Sequence, residues 1–191
     1  MDKLVFDIET KNTFADVGGE ENIDKLEVSM ICVYSYDRGD FFAFSEYEIN
    51  EAAELFKRAG LLIGHSINHF DVPVLKKYFS FEIASIPTVD LLEEIQAGFG
   101  RRVGLDALAK TNVGAGKTHH GLEATRMYRD GEIEELRNYC MNDVKLTKAL
   151  YELAERQGFL MVPERTTGQL VSVSLNWKEK LLDAHLMQSL W

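Results

Sequence analysis

The chain opens with LVFDIET, where Leu4, Phe6 and Ile8 alternate with polar positions, which predicts a first β-strand. The runs MICVYSY (30–36) and FFAF (41–44), joined across Asp37-Arg38-Gly39-Asp40, predict a hairpin. NEAAELFKRAG (50–60) has helical spacing, with Asn50 as the expected cap and Gly60 as the stop. LLIGHS (61–66) then predicts a short buried strand, DVPVLKKYF (71–79) a helix, and TVDLLEEIQAG, after Ile86-Pro87, another strand-to-helix passage. The Gly-rich stretch 98–121 predicts a short helix among loops, residues 131–157 a long helix, and QLVSVSLNW (169–177) a strand. The amphipathic segment from Lys178 to Trp191 carries Trp177, Leu181, Ala184, Met187 and Trp191 at helical spacing along and just before it. Three early antiparallel strands, then alternating helices and strands, predict an α/β fold with a mixed sheet flanked by helices. Residues 1–160 are expected to form the domain proper. Residues 161–191 are expected to pack on it as a strand and helix, or to serve self-association into a homo-oligomer.

Against this pattern, several acids stand where apolar residues belong. Asp7 and Glu9 share one side of the first strand, about 7 Å apart by the two-residue repeat. In the long helix, Leu136, Tyr139, Asp143, Leu146, Leu150 and Leu153 recur at spacings of 3, 4, 3, 4 and 3, so Asp143 interrupts a core stripe. An acid facing a core must be paired, protonated or bound to metal. Tyr139 lies one turn earlier on the same face, so phenol and carboxylate can reach one locus. Each position has a plainer reading: solvated acids on an exposed strand face, an Asp at the stripe's edge paired with a cation, and for Asp71, two residues before Pro73, a helix cap. Together, Asp7, Glu9, Asp71 and Asp143 come from separate elements that one domain can bring to a single cleft. Four carboxylates form a hard-oxygen set suited to Mg²⁺ or Mn²⁺, and two such ions about 4 Å apart suit phosphoryl displacement.

Composition narrows the partners. The 191 residues include 46% hydrophobic and 27% charged positions, enough for a real core and too few breakers for disorder. Bases number 21 and acids 31, a net charge of −10, which disfavours a simple duplex-binding domain but not an enzyme that meets phosphates through bound cations. No apolar run is long enough to span a bilayer, and MDKLVFDIET lacks a secretory pattern, so a soluble, cytoplasmic protein with no membrane partner is expected. Cys32 and Cys140 are too few for a cysteine-rich zinc site.

Phe6-Asp7-Ile8-Glu9-Thr10, Gly64-His65-Ser66-Ile67-Asn68-His69-Phe70-Asp71 with Val72-Pro73, and Tyr139-Cys140-Met141-Asn142-Asp143 resemble, in order, three motifs of the DEDD 3′–5′ exonucleases, Y subclass, in the ribonuclease H-like superfamily. Within that group the chain looks like stand-alone relatives of the family-B DNA polymerase proofreading domain, over residues 3–155. The resemblance implies a ribonuclease H-like fold and a two-metal exonuclease that releases nucleoside 5′-monophosphates from a single-stranded DNA or RNA 3′ end, DNA favoured. It implies that Asp7 contacts both ions, that Glu9 and Asp143 complete the first site, and that Asp71 supports the second. Tyr139 would position the attacking water, since the place of the sister subclass's histidine is taken by Asn138. Ile8, through its backbone, and Thr10 would hold the terminal nucleotide, and Phe70 would stack a base. Relatives carry Asn where this chain has Ser66; Asn68 is near but in another register. The competing readings are an oligonucleotide-clearing or structure-selective nuclease, and a silent nucleic-acid-binding module.

Gly114-Ala115-Gly116-Lys117-Thr118 resembles a phosphate loop but lacks a glycine at 111 and follows a helical pattern rather than a strand. Arg101, Arg102, Lys110, Lys117, His119 and His120 form either a basic strip for substrate phosphates or a solvated loop. His65 and His69 are expected to support the site or lie at the surface. Asp90 and Asp106 are expected to cap helices.

Overall fold

A computed structural model describes residues 1–116 and 121–175. β1 (Asp2–Thr10) leads through α1 (Phe14–Val17) and a 3₁₀ turn to the hairpin of β2 (Val28–Ser35) and β3 (Asp40–Ser45). Then come α2 (Ile49–Phe56), β4 (Ala59–Gly64), α3 (Asp71–Leu75), β5 (Thr88–Asp90), α4 (Leu91–Phe99) and α5 (Leu105–Val113). α6 (Gly121–Arg129) and the 25-residue α7 (Ile133–Gln157) precede a second hairpin, β6 (Phe159–Pro163) and β7 (Leu170–Ser174).

The main sheet has the order β3-β2-β1-β4-β5, with β1 antiparallel to β2 and parallel to β4. This is the expected mixed sheet with three antiparallel N-terminal strands. Helices cover both faces. Leu4, Phe6 and Ile8 pack with Leu55 and Phe56 of α2 and Val74 of α3. Val5, Met30 and Cys32 point the other way and pack with Leu136, Tyr139 and Leu150 of α7. Since side chains alternate along a strand, Asp7 and Glu9 share Val5's face, beneath α7.

The local differences have local causes. Asn50 does not cap α2, because Ser45 and Glu48 form a reciprocal capping box upstream and the helix begins at Ile49. Gly60 does not stop that helix; Ala59 pairs with Asp2 and Gly60 lies inside β4. α3 ends at Leu75 rather than 79, where the Tyr78 N–H turns back to the Leu75 carbonyl at 2.9 Å. Asp106 is not a cap: Gly104 takes that position, and Asp106 pairs with Lys110 one turn on, at 2.8 Å. Asp90 does cap α4, accepting the Leu92 N–H.

α6 and β6 were not legible as elements in the sequence. β7 pairs with β6 in a two-stranded sheet of its own. The expected segment 178–191, and any self-association through it, lie outside the described residues. Among the described residues no helix is long and apolar enough to cross a membrane.

Candidate active site

β1 and β4 pair from Asp2 with Ala59 as far as Val5 with Ile63, and then part. The parting is built into β4's last residue: a Cβ at Gly64 would collide with the Ile67 side chain, so only glycine lets the chain fold back tightly there. The turn that follows carries Ser66 at φ 73°, a left-handed conformation rare outside glycine and asparagine. It ends at Asp71, the first residue of α3, which is 3% exposed. The Asp71 carboxylate crosses to β1, where Oδ1 accepts the Ile8 N–H at 3.0 Å, in the region β4 has vacated. Motif two is thus fastened to motif one by a buried bond 63 residues apart in sequence.

On the opposite side of β1, α7 delivers Asp143, which is 1% exposed, so the stripe-edge reading fails. One carboxylate oxygen from each of Asp7, Glu9 and Asp143 lies within 4.8 Å of the others. Tyr139, 2% exposed, stands one turn before Asp143 and lines the same cleft. Cys140, next to Tyr139 on α7, donates its thiol to the Asp7 carbonyl at 3.4 Å. Burial, with neighbouring Cys32 and the carboxylates of Asp7 and Glu9, pushes the Cys140 thiol well above its ordinary range, so it stays a neutral donor. The strand is also irregular here: Glu9 faces Met30 and Thr10 faces Val28, leaving Ser29 as the extra residue of a bulge that changes the strand's course beside the acids.

These elements enclose a cleft of about 480 Å³. Asp7, Glu9, Asp71 and Asp143 line one part of it, and Phe14, Leu26 and Phe70 give it apolar walls, the Phe14 and Phe70 rings meeting edge-on at 5.8 Å. Ile8, Thr10 and Ser66 also line it. Asn68 does not: its amide donates to Glu93 at 2.7 Å, outside the cleft. His69 also contacts Glu93, at 3.4 Å, while His65 lines the cleft and bonds the Val103 carbonyl at 2.9 Å.

Lys117, His119 and His120 lie outside the described residues. The other members of the supposed basic strip are partly engaged elsewhere, Arg101 at the Pro163 carbonyl (2.6 Å) and Lys110 at Asp106. Gly114 closes α5 in the left-handed region, so helix and not strand precedes that glycine-rich loop, unlike a phosphate loop.

Sequence reasoning missed one wall. Asn12, Thr13, Phe14 and Ala15 line the cleft, and Thr125 of α6, 6% exposed, donates to the Thr10 carbonyl at 3.3 Å. The available signal was Thr13 with Asp16, a capping box starting α1, and Asp16 in turn ties that wall to Arg129 of α6 at 2.8 Å.

A sequence profile of the RNase_H superfamily matches residues 4–155 and spans all four carboxylates. The chain belongs to the RNase_H superfamily. No curated protein matches the sequence. Among solved structures, E. coli exonuclease I in complex with a 5cy-dT13 oligonucleotide shares the fold at a TM-score of 0.50 and 13% identity, over 82% of this chain and 41% of that one. A zinc-bound E. coli exonuclease I–single-stranded DNA complex gives a TM-score of 0.50 at 14% identity, over 82% of this chain and 41% of that one. This RNase_H superfamily chain therefore spans less than half the length of the solved proteins it resembles.

Proposed function

We propose that this protein is a metal-dependent 3′–5′ exonuclease of the DEDD type, Y subclass, acting on single-stranded nucleic acid with DNA favoured over RNA. The observation that carries the reading is the convergence of Asp7, Glu9 and Asp143 within 4.8 Å, under a buried tyrosine and beside Asp71. That donor set is all carboxylate oxygen, with no thiol among its ligands, and fits Mg²⁺ or Mn²⁺. Two such ions, held by Asp7, Glu9, Asp143 and Asp71, would supply a nucleophile at neutral pH and charge stabilisation for a phosphodiester displacement.

The chain's own residues do the rest. The Tyr139 phenol, held rigid by burial in α7, orients the attacking water. The backbone at Ile8 and the side chain of Thr10 hold the terminal nucleotide, whose base rests against Phe70 and Phe14. A cleft of about 480 Å³ with a narrow acidic part admits a chain end more readily than a duplex. The solved exonuclease I complexes with single-stranded DNA support this substrate class.

Purified protein incubated with 3′- and 5′-labelled single-stranded DNA and RNA, in Mg²⁺, Mn²⁺ or EDTA, tests the reading. A metal-dependent ladder shrinking from the 3′ end, absent in Asp7→Ala, is expected. Internal cuts, cleavage restricted to very short oligonucleotides, or no cleavage with either metal would each overturn it.

A further inference from the structure

We propose that Asp90, which no metal or substrate need touch, is the positioning residue that fixes Asp71 in the cleft. The inference rests on the metal-dependent reading above and deepens it. Asp90 caps α4, yet its carboxylate does far more than close a helix. Oδ1 accepts the Ser66 N–H at 2.7 Å and the Leu92 N–H at 3.0 Å, while Oδ2 accepts the Asn68 N–H at 3.0 Å. The residue is 3% exposed, the Leu92 bond is buried and the Ser66 and Asn68 bonds are half-buried, so losing the carboxylate leaves backbone donors with little water to replace it.

What Asp90 grips is the turn that delivers Asp71. Within it, the Ser66 carbonyl accepts the His69 and Phe70 N–H groups at 3.2 and 3.1 Å, and the Ile67 carbonyl accepts the Val72 N–H at 2.9 Å. The turn is a closed unit, pinned at its start by Asp90 and joined at its end, through Asp71, to the Ile8 N–H. It is also strained, because Ser66 sits at φ 73°. Without the Asp90 carboxylate, the turn keeps its internal bonds but loses its anchor at Ser66 and Asn68, and its relaxation displaces Asp71 from the other three acids. The contacts of Asn68 and His69 with the half-exposed Glu93 run from the same turn to α4, but each is a side-chain tie rather than a hold on the turn's backbone, so they fix its course less firmly.

Asp90→Asn keeps the size and one acceptor oxygen but presents an amide donor to a backbone N–H. Asp90→Ala removes all three bonds. Calorimetric titration with Mn²⁺, without nucleic acid, reads the consequence directly. Relative to wild type, Asp90→Asn is expected to weaken Mn²⁺ binding about 10-fold and Asp90→Ala up to about 100-fold, the range for residues that orient metal ligands. Glu93→Gln, which leaves the backbone of the turn bonded to Asp90, is expected to stay within about 3-fold.

Leu55→Ala, a cavity in the core that α2 closes and outside the cleft lining, controls for stability. If it weakens Mn²⁺ binding as much as Asp90→Asn at a matched loss of melting temperature, the positioning role fails. Asp90 variants that bind Mn²⁺ as wild type does would also overturn it. If Asp90→Ala does not fold, Asp90→Asn decides alone. Wild type that binds no Mn²⁺ would instead overturn the metal reading itself, and Mn²⁺ binding by wild type that is lost in Asp7→Ala keeps the two failures apart.

Discussion

The two faces of β1 are made from the same nine residues and do opposite things. On one, Leu4, Phe6 and Ile8 are 0%, 1% and 3% exposed and close an unbroken apolar core against α2 and α3, Phe6 meeting Phe56 edge-on at 5.0 Å. On the other, Val5 packs under α7, and two residues later the same face turns to Asp7 and Glu9, half-buried beneath a helix that answers with a buried Asp143. The first face is what stability asks for. The second gathers like charges in a place where burial disfavours them, which a fold tolerates only when some other demand keeps them there. Stability and chemistry are thus separated by a single peptide step along one strand.

The largest test of that separation is Asp143→Leu, which completes the α7 stripe. It is expected to lower 3′-end cleavage by about 10³-fold or more, the scale of losing an ion's charge stabilisation. In EDTA it should raise stability by roughly 1–3 kcal/mol, because a buried carboxylate crowded by two others is replaced by an apolar side chain. Calorimetric melting with a gel assay reads both; retained cleavage, or a lower melting temperature, would break the comparison.

Phe6→Ala probes the other face. It should cost about 3–5 kcal/mol in urea unfolding. The cleavage rate of the protein that remains folded should change little, and a cost below about 1 kcal/mol would deny that this face carries the stability.

Tyr139→Phe sharpens the boundary, since the ring stays in the core while its hydroxyl leaves the cleft. We expect kcat to fall roughly 10- to 100-fold with Mn²⁺ affinity unchanged. Equal loss of both would make Tyr139 a support for the metal site rather than an aligner of water.

Smallest is Ser66→Asn, which places a side chain more tolerant of left-handed backbone in the strained turn. A gain of about 0.5 kcal/mol is expected. A loss of that size in thermal unfolding would mean that the serine hydroxyl is itself a tie.

From the sequence alone, the mixed sheet, the hairpin, the α7 stripe and the odd placement of Asp7, Glu9 and Asp143 were legible, because alternation and helical spacing register which face a residue takes. Legibility failed where a contact far away in the chain overruled a local signal. Gly60 signals a helix stop, yet strand pairing at Ala59 absorbs it into β4. Asp71 before Pro73 has the local signal of a cap, and only its grouping with the other three acids pointed to the cleft where its carboxylate crosses to Ile8. Asn68, by sequence as good a substrate residue as Ser66, is turned outward to Glu93, because the left-handed Ser66 sets the direction of the turn.

The sequence by itself determined which residue types must meet and on which faces, since those follow from periodicities of two and 3.6 that any neighbour must respect. Only the tertiary structure decided the wall from Asn12 to Ala15, the place of Thr125 and the threefold grip of Asp90. The bonds that place them, Thr125 to Thr10, Arg129 to Asp16 and Asp90 to Ser66 and Asn68, join segments more than twenty residues apart, and a directional bond across a fold leaves no period in the chain.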